Sequence, residues 1–299
     1  MILCSLKTMG RTKSYLLIAI LYMIAFATAF FTVRILPLES FLLKVLIADI
    51  VATMFIFAMT TLFDNSSIYD PYWSVAPLLI LPFFINTLTP GTIVLLAIVY
   101  FWGTRLTLNW GYTFTGMKAQ DWRYDHYRNR YPRLWPLVNL FGIQLMPTLI
   151  VFTALLPAIL YLQTGGTLNA LGVLGATLSV TAVIIQTVAD IQMHRFRKNA
   201  PKGRVNDTGL WRYSRHPNYL GEIGFWFGLY IMQLSVAPAY YLSGIGFLLM
   251  VMLFTGISIP LMETRQLERK ADYERYKAAT SPLLLMRPSE TKTTEAATE

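Results

Sequence analysis

Long apolar runs recur from one end of this chain to the other, and they restrict its fold more than any motif does. The first, Tyr15 to Val33, is about 19 residues long, enough for one helical crossing of a bilayer. Others run over Phe41–Phe63, Trp73–Leu88, Thr92–Leu108, Leu137–Leu162, Leu168–Ala189, Tyr219–Val236 and Tyr240–Ile259. Hydrocarbon offers no water to backbone N–H and C=O groups, so each run must satisfy them internally as a helix. The expected class is therefore all-α: a polytopic transmembrane helical bundle of about eight spans, with seven possible. Hydrophobic residues make up 55% of the chain and charged residues 14%, which gives no sign of a second, soluble domain.

The net charge of +9 gathers in the polar gaps. Lys7, Arg11 and Lys13 precede the first run, and Arg195, Arg197, Lys198, Lys202, Arg204, Arg212 and Arg215 follow the sixth. With the loop after the fourth run and the charged tail, these lie on one side of an eight-span arrangement. The positive-inside rule then puts both termini in the cytoplasm, as expected of a multi-pass protein of a bacterial inner membrane. The first run is read as a retained helix and not as a cleaved signal. Membrane lipids are the expected surroundings, and a nucleic-acid partner is not expected, because no basic stripe lies on a soluble element. Cys4 is alone, and His126, His194 and His216 form no HxxxH or HExxH pair, so no metal centre is expected. The sequence is compatible with a monomer or with an oligomer of unknown order.

The least ordinary stretch is GLWRYSRHPNYLGEIG, Gly209 to Gly224. Pro217 suits the first turn of a helix, where a missing N–H costs nothing. Asn218 and Glu222, four apart, share a face of that helix. A carboxylate one turn inside an apolar run is read as functional by default, against the plainer reading of a capped helix with interfacial anchors. Other polar clusters fall at the same ends of runs: Asp70, Tyr72 and Trp73; Arg105 and Asn109; Gln186 and Asp190, followed by Arg197 and Arg204. Arg105, Arg197 and Arg204 suit bidentate phosphate contacts, and Asp190 and Glu222 suit ribose hydroxyls or a carboxamide. For Arg195, Lys198 and Lys202 the topogenic reading is preferred. Asp49, deep in the second run, is either paired or lines a cavity. The aromatic loop from Asn109 to Pro136, with Trp110, Trp122, Tyr124, Tyr127, Tyr131 and Trp135, reads as an interfacial belt. No GxGxxG or GxxxxGK[ST] follows a plausible strand, so a nucleotide would lie in a cavity of the bundle open to the cytoplasmic side.

QTVADIQMHRFR (Gln186–Arg197) with GLWRYSRHPNYLGE (Gly209–Glu222) resembles the C-terminal domain of the steroid 5-alpha-reductase family, and most narrowly an uncharacterised bacterial branch of it. DPYWS (Asp70–Ser74), RLTLNW (Arg105–Trp110) and DWRY (Asp121–Tyr124) extend the likeness. It implies a catalytic membrane domain over residues 68–282, behind a two-span segment at 1–67 and ahead of a disordered tail at 283–299. It also implies NADPH as cofactor and hydride transfer to the conjugated C=C bond of an apolar steroid-, sterol- or isoprenoid-like enone. By resemblance Arg105, Asp190, Arg197, Arg204, Asn218 and Glu222 bind the cofactor, with Tyr213, Arg215, His216 and Tyr219 counted to the same site. Asp70 falls at the family's substrate-polarising carboxylate. The family's tyrosine on the next helix has Trp102 in its column, with Tyr100 two residues before. Asp70 can donate only if burial keeps it protonated; otherwise Tyr72 or Tyr100 is the donor and Asp70 orients it. The competing reading is a membrane methyltransferase using S-adenosylmethionine on isoprenylcysteine or phospholipid, which would leave three arginines without phosphates to bind. A transporter is a third class, but no internal repeat or paired broken helices support it.

Overall fold

A computed structural model describes residues 9–289. Cys4, Lys7 and the tail from residue 290 onward lie outside the described residues. Among the described residues every regular element is helical, as the apolar runs require. The chain forms two compact units, Met1–Gly165 and Gly166–Glu299. They meet in sequence at a Gly-Gly turn, where Gly165 takes φ +70°, a conformation open to a residue without Cβ.

In the first unit, α1 (Arg11–Ile35) and α2 (Phe41–Leu62) pack as a hairpin, with Ser40 accepting from Leu43 N at the start of α2. A polar turn leads to α3 (Tyr72–Ile80), which carries Pro77 and tightens into a 3-10 turn at Leu81–Phe84. α4 (Pro90–Thr113) begins with a capping box between Thr89 and Thr92 and with proline at its first position. The short α5 (Trp122–Arg130) has Asp125 in its first turn and Arg128 and Arg130 in its last, complementing the helix dipole. α6 spans Trp135–Gln163 and contains a π-helical stretch at Val138–Leu145. The core joins Leu21, Tyr22 and Ala25 of α1 to Ala52 and Ile56 of α2, and both to Ile68, Tyr69, Tyr72 and Ala76.

In the second unit, α7 (Ala170–Asn199) and α8 (Pro217–Leu234) pack along most of their length. Small residues permit this: a Cβ on Gly228 would lie 2.6 Å from the Gly175 carbonyl, and one on Gly221 2.6 Å from the Ala182 carbonyl. Close backbone approach of this kind replaces hydrophobic burial as the cohesive term between helices in lipid. α9 spans Pro238–Arg269, with a π-helical turn at Phe254–Ser258, and α10 covers Tyr273–Ala279.

Among the described residues six helices are long and apolar enough to cross a membrane: α1, α2, α4, α6, α7 and α9. The multi-pass helical class is thus confirmed, and the expected third and seventh runs are helical too but fall outside these six. The third is broken, because Pro77 and Pro82 each remove a backbone donor and α3 ends after nine residues. The seventh, α8, is a continuous helix of 18 residues, or about 27 Å. Asn218, Glu222 and Gln233 lower its apolarity.

Candidate functional site

Asp70 lies in the turn between α2 and α3, and that turn is held from below by side-chain caps. Asn65 accepts from Ser67 N at 2.9 Å and donates to the carbonyls of Met117 (2.9 Å) and Ala119 (3.1 Å). Ser66 N donates to Gln120 Oε1 at 2.8 Å, and Asp121 N donates to Ser67 Oγ at 2.8 Å. The turn is thereby tied to residues 117–121, the segment that starts α5. Asp121 caps α5 by accepting from Arg123 N, and the Arg123 guanidinium grips the same carboxylate at 2.8 and 3.1 Å. One turn into the helix, the Tyr124 hydroxyl donates to Asp70 Oδ1.

Asp70 is half-buried and Tyr124 is buried. Burial is the largest influence on the Asp70 carboxyl and pushes it from the usual carboxylate range up to about 7. Arg123 opposes this, Asp121 adds to it, and the hydroxyls of Tyr124 and Ser67 lower it by bonding the ionised form. Burial, and then the charge of Asp70, push the Tyr124 phenol well above its ordinary value. The result is a carboxyl near half-protonation at neutral pH, touched by neutral hydroxyls and not by a direct cation.

The tyrosines expected beside Asp70 lie elsewhere in this unit. The Tyr72 hydroxyl donates to Asp49 Oδ1 at 2.7 Å, so Asp49 is paired. Tyr100 is 41% exposed and donates to the Leu78 carbonyl at 2.7 Å. Both point by helix phase to partners other than Asp70, and Trp102 fills the core with no exposure. Tyr124 stands in their place, although its sequence context reads as part of the aromatic belt. Its available signal was the DWRY run, in which an N-capping Asp121 fixes the phase of the helix behind it. Arg105 is half-buried on α4.

The second unit holds the remaining expected residues. Gly209, at φ +60°, turns the chain into the 3-10 segment Gly209–Arg212, and α7 secures it: Leu210 N donates to Gln192 Oε1 (2.9 Å) and Trp211 Nε1 to the Ala189 carbonyl (3.0 Å). Arg215 Nε donates to Glu263 Oε1 at 2.7 Å, and its Nη1 donates to the carbonyls of Lys277 and Thr280. Lys277 Nζ lies 3.0 Å from Glu263 Oε2. His216 Nε2 is 3.4 Å from Glu263 Oε1, and its ring stacks on Tyr219 with centroids 5.3 Å apart. Arg215 and His216 thus hold α9 and α10 to the loop that carries the motif. The chain after α10 continues the attachment: Ser214 Oγ donates to the Leu283 carbonyl, and Met286 N to that of Tyr213.

Glu222 is buried on α8 and accepts from Gln186 Nε2 at 2.8 Å and Trp226 Nε1 at 2.9 Å. Asn218 is half-buried in the first turn of α8, its side-chain oxygen accepting from Tyr219 N. Asp190 is half-buried near the end of α7. Arg197, Arg204 and Tyr213 are exposed, with Arg204 3.9 Å from Asp272. The exposed guanidiniums and Asn218 have the chemistry a phosphorylated nucleotide needs, whereas Arg215 and His216 are spent on Glu263.

A family model described as a protein of unknown function (DUF1295) matches residues 56–280. An uncharacterized protein of Schizosaccharomyces pombe is 25% identical over 197 residues, 56% of this chain and 57% of the relative. The chain therefore spans little more than half the length of that relative. No solved structure matches the chain.

Proposed function

The chain belongs to the DUF1295 family, and we propose that it is a membrane-embedded, NADPH-dependent reductase of the steroid 5-alpha-reductase kind, acting on the conjugated C=C bond of an apolar enone. The observation that carries the reading is the Asp70 carboxyl, raised to about 7 by burial and hydrogen-bonded by Tyr124. When bound, NADPH supplies a hydride for the β carbon of the enone. Charge then accumulates on the carbonyl oxygen, and Asp70 in its protonated form donates to that oxygen. The enol so formed returns its O–H proton to Asp70 as the α carbon takes a proton from water. Tyr124 holds the carboxyl in place and stabilises the carboxylate that remains once the proton has left. Ser67 gives the same carboxyl a second neutral donor. By the resemblance Arg197 and Arg204 would bind phosphates and Asn218 the carboxamide. Glu222, which accepts from Gln186 and Trp226, would by the same resemblance share the carboxamide with Asn218. The substrate is a lipid-soluble small molecule, and the expected seat is a bacterial inner membrane with cytoplasmic termini.

The test is a thermal-shift titration of the detergent-purified protein with NADPH, NADH and S-adenosylmethionine, followed by NADPH oxidation with a lipophilic enone. Specific binding raises the unfolding midpoint by mass action. NADPH is expected to raise it and to be consumed only when the enone is present. A shift with S-adenosylmethionine alone would transfer the protein to the methyltransferases.

A further inference from the structure

Asp49 is a buried carboxyl in an apolar span, a costly feature, and the acid chemistry proposed for Asp70 does not use it. Its contacts converge on the turn that carries Asp70. The Tyr72 hydroxyl, on the far side of Pro71 from Asp70, donates to Asp49 Oδ1. Tyr69, on the near side, reaches α2 by another route. Its hydroxyl is 2.9 Å from Thr148 Oγ1 of α6, which is 3.1 Å from Thr53 Oγ1, and Thr53 donates to the Asp49 carbonyl at 2.8 Å. Thr53 has spent its proton there, so Thr148 donates to Thr53 and Tyr69 donates to Thr148. Both routes end on the same turn of α2.

The aromatic packing reinforces the hold. The Tyr72 ring stacks on Tyr69 (5.7 Å) and Phe26 (5.8 Å) and meets Tyr22 edge-on (5.9 Å). The Tyr22 hydroxyl donates to the Ile68 carbonyl at 2.7 Å. Pro71, at φ −81°, leaves little freedom between Asp70 and Tyr72, so a rotation at Tyr72 is passed on to Asp70.

We propose that Asp49 is a positioning residue: by holding Tyr72, beside the Tyr69–Thr148–Thr53 relay, it fixes the Tyr69–Tyr72 turn so that the Asp70 carboxyl meets Tyr124. This deepens the reading of Asp70 as the acid and depends on that reading only for its catalytic consequence. A leucine at position 49 would suit the span and pack, but it would leave the Tyr72 hydroxyl only the backbone carbonyl of residue 49, 3.3 Å away and already accepting from Thr53.

The experiment reads Asp70 directly. Infrared difference spectra of the full-length protein in detergent, wild type minus Asp70→Asn, isolate the Asp70 carboxyl band and its titration midpoint. Asp49→Leu and Tyr72→Phe are expected to release the turn and admit water to Asp70; burial outweighs the Tyr124 bond among the influences on this carboxyl, so the midpoint falls by about one pH unit or more. Asp49→Asn keeps a side-chain carbonyl for the Tyr72 hydroxyl, so its midpoint stays with the wild type. Tyr69→Phe gives a smaller downward shift. If Asp49→Leu lowers thermal stability yet leaves the midpoint in place, or if Asp49→Asn shifts it as far as Asp49→Leu, the positioning role is overturned. Where Asp49→Leu does not accumulate, Tyr72→Phe decides by the same criterion. Neither NADPH nor an enone enters the titration, so the positioning role stands or falls separately from the reductase activity.

Discussion

Asp70 in the first unit and Glu263 in the second are both shielded carboxyls, and they are partnered in opposite ways. Glu263 is held by Arg215, Lys277 and His216, so a loss of its charge would leave the buried Arg215 guanidinium unmatched. Asp70 is held by the hydroxyls of Tyr124 and Ser67, with Arg123 nearby but bonded to Asp121. Neutral donors tolerate either protonation state of the carboxyl. The difference teaches what each can do: the cation-bound group fastens helices and the hydroxyl-bound group can exchange a proton.

The largest expected effect breaks the cation-bound side. Glu263→Gln leaves the Arg215 charge buried without its counterion, and the expected loss is about 3–5 kcal/mol in unfolding free energy, read by thermal or denaturant unfolding in detergent. An unchanged midpoint would remove the contrast. Asp70→Asn should instead leave the fold intact and slow enone reduction on the order of a hundredfold, with NADPH affinity unchanged. The wild-type rate should decline as pH rises through about 7, where Asp70 loses its proton, and the variant should lack that limb. The same raised value has a stability sign. Asp70 withdraws stability as pH rises from the ordinary carboxylate range to about 7, so Asp70→Asn gains on the wild type over that window. Arg197→Ala should weaken NADPH binding about tenfold in a titration, equivalent to roughly 1.4 kcal/mol, and leave the pH profile alone. The smallest effect sharpens the hydroxyl-bound side. Tyr124→Phe removes a bond that favours the ionised carboxyl, so the alkaline limb should move to higher pH. A limb that moved to lower pH would show that Tyr124 acts otherwise.

The class of this protein was legible because a bilayer makes one demand on every residue of a run, and a run of apolar residues answers it wherever the chain lies. The locations of the carboxyls could be read too: Asp70, Glu222 and Asp49 each stand out against apolar or turn-forming neighbours. The end of the third run was also signalled, by Pro77 and Pro82, although the continuous span expected there gave way to a nine-residue helix and a 3-10 turn.

What partners those carboxyls have was decided by the tertiary structure. Asp70 and Tyr124 are 54 residues apart, and Arg215 and Glu263 are 48 apart. Helix phase, and a turn pinned at Asn65 and Ser67, select Tyr124 over the nearer Tyr72 and Tyr100. Apolarity is a property each residue carries alone, and so the order of residues was enough to set the helical membrane class. A hydrogen bond needs two groups within about 3 Å, and only the packed chain sets which groups those are.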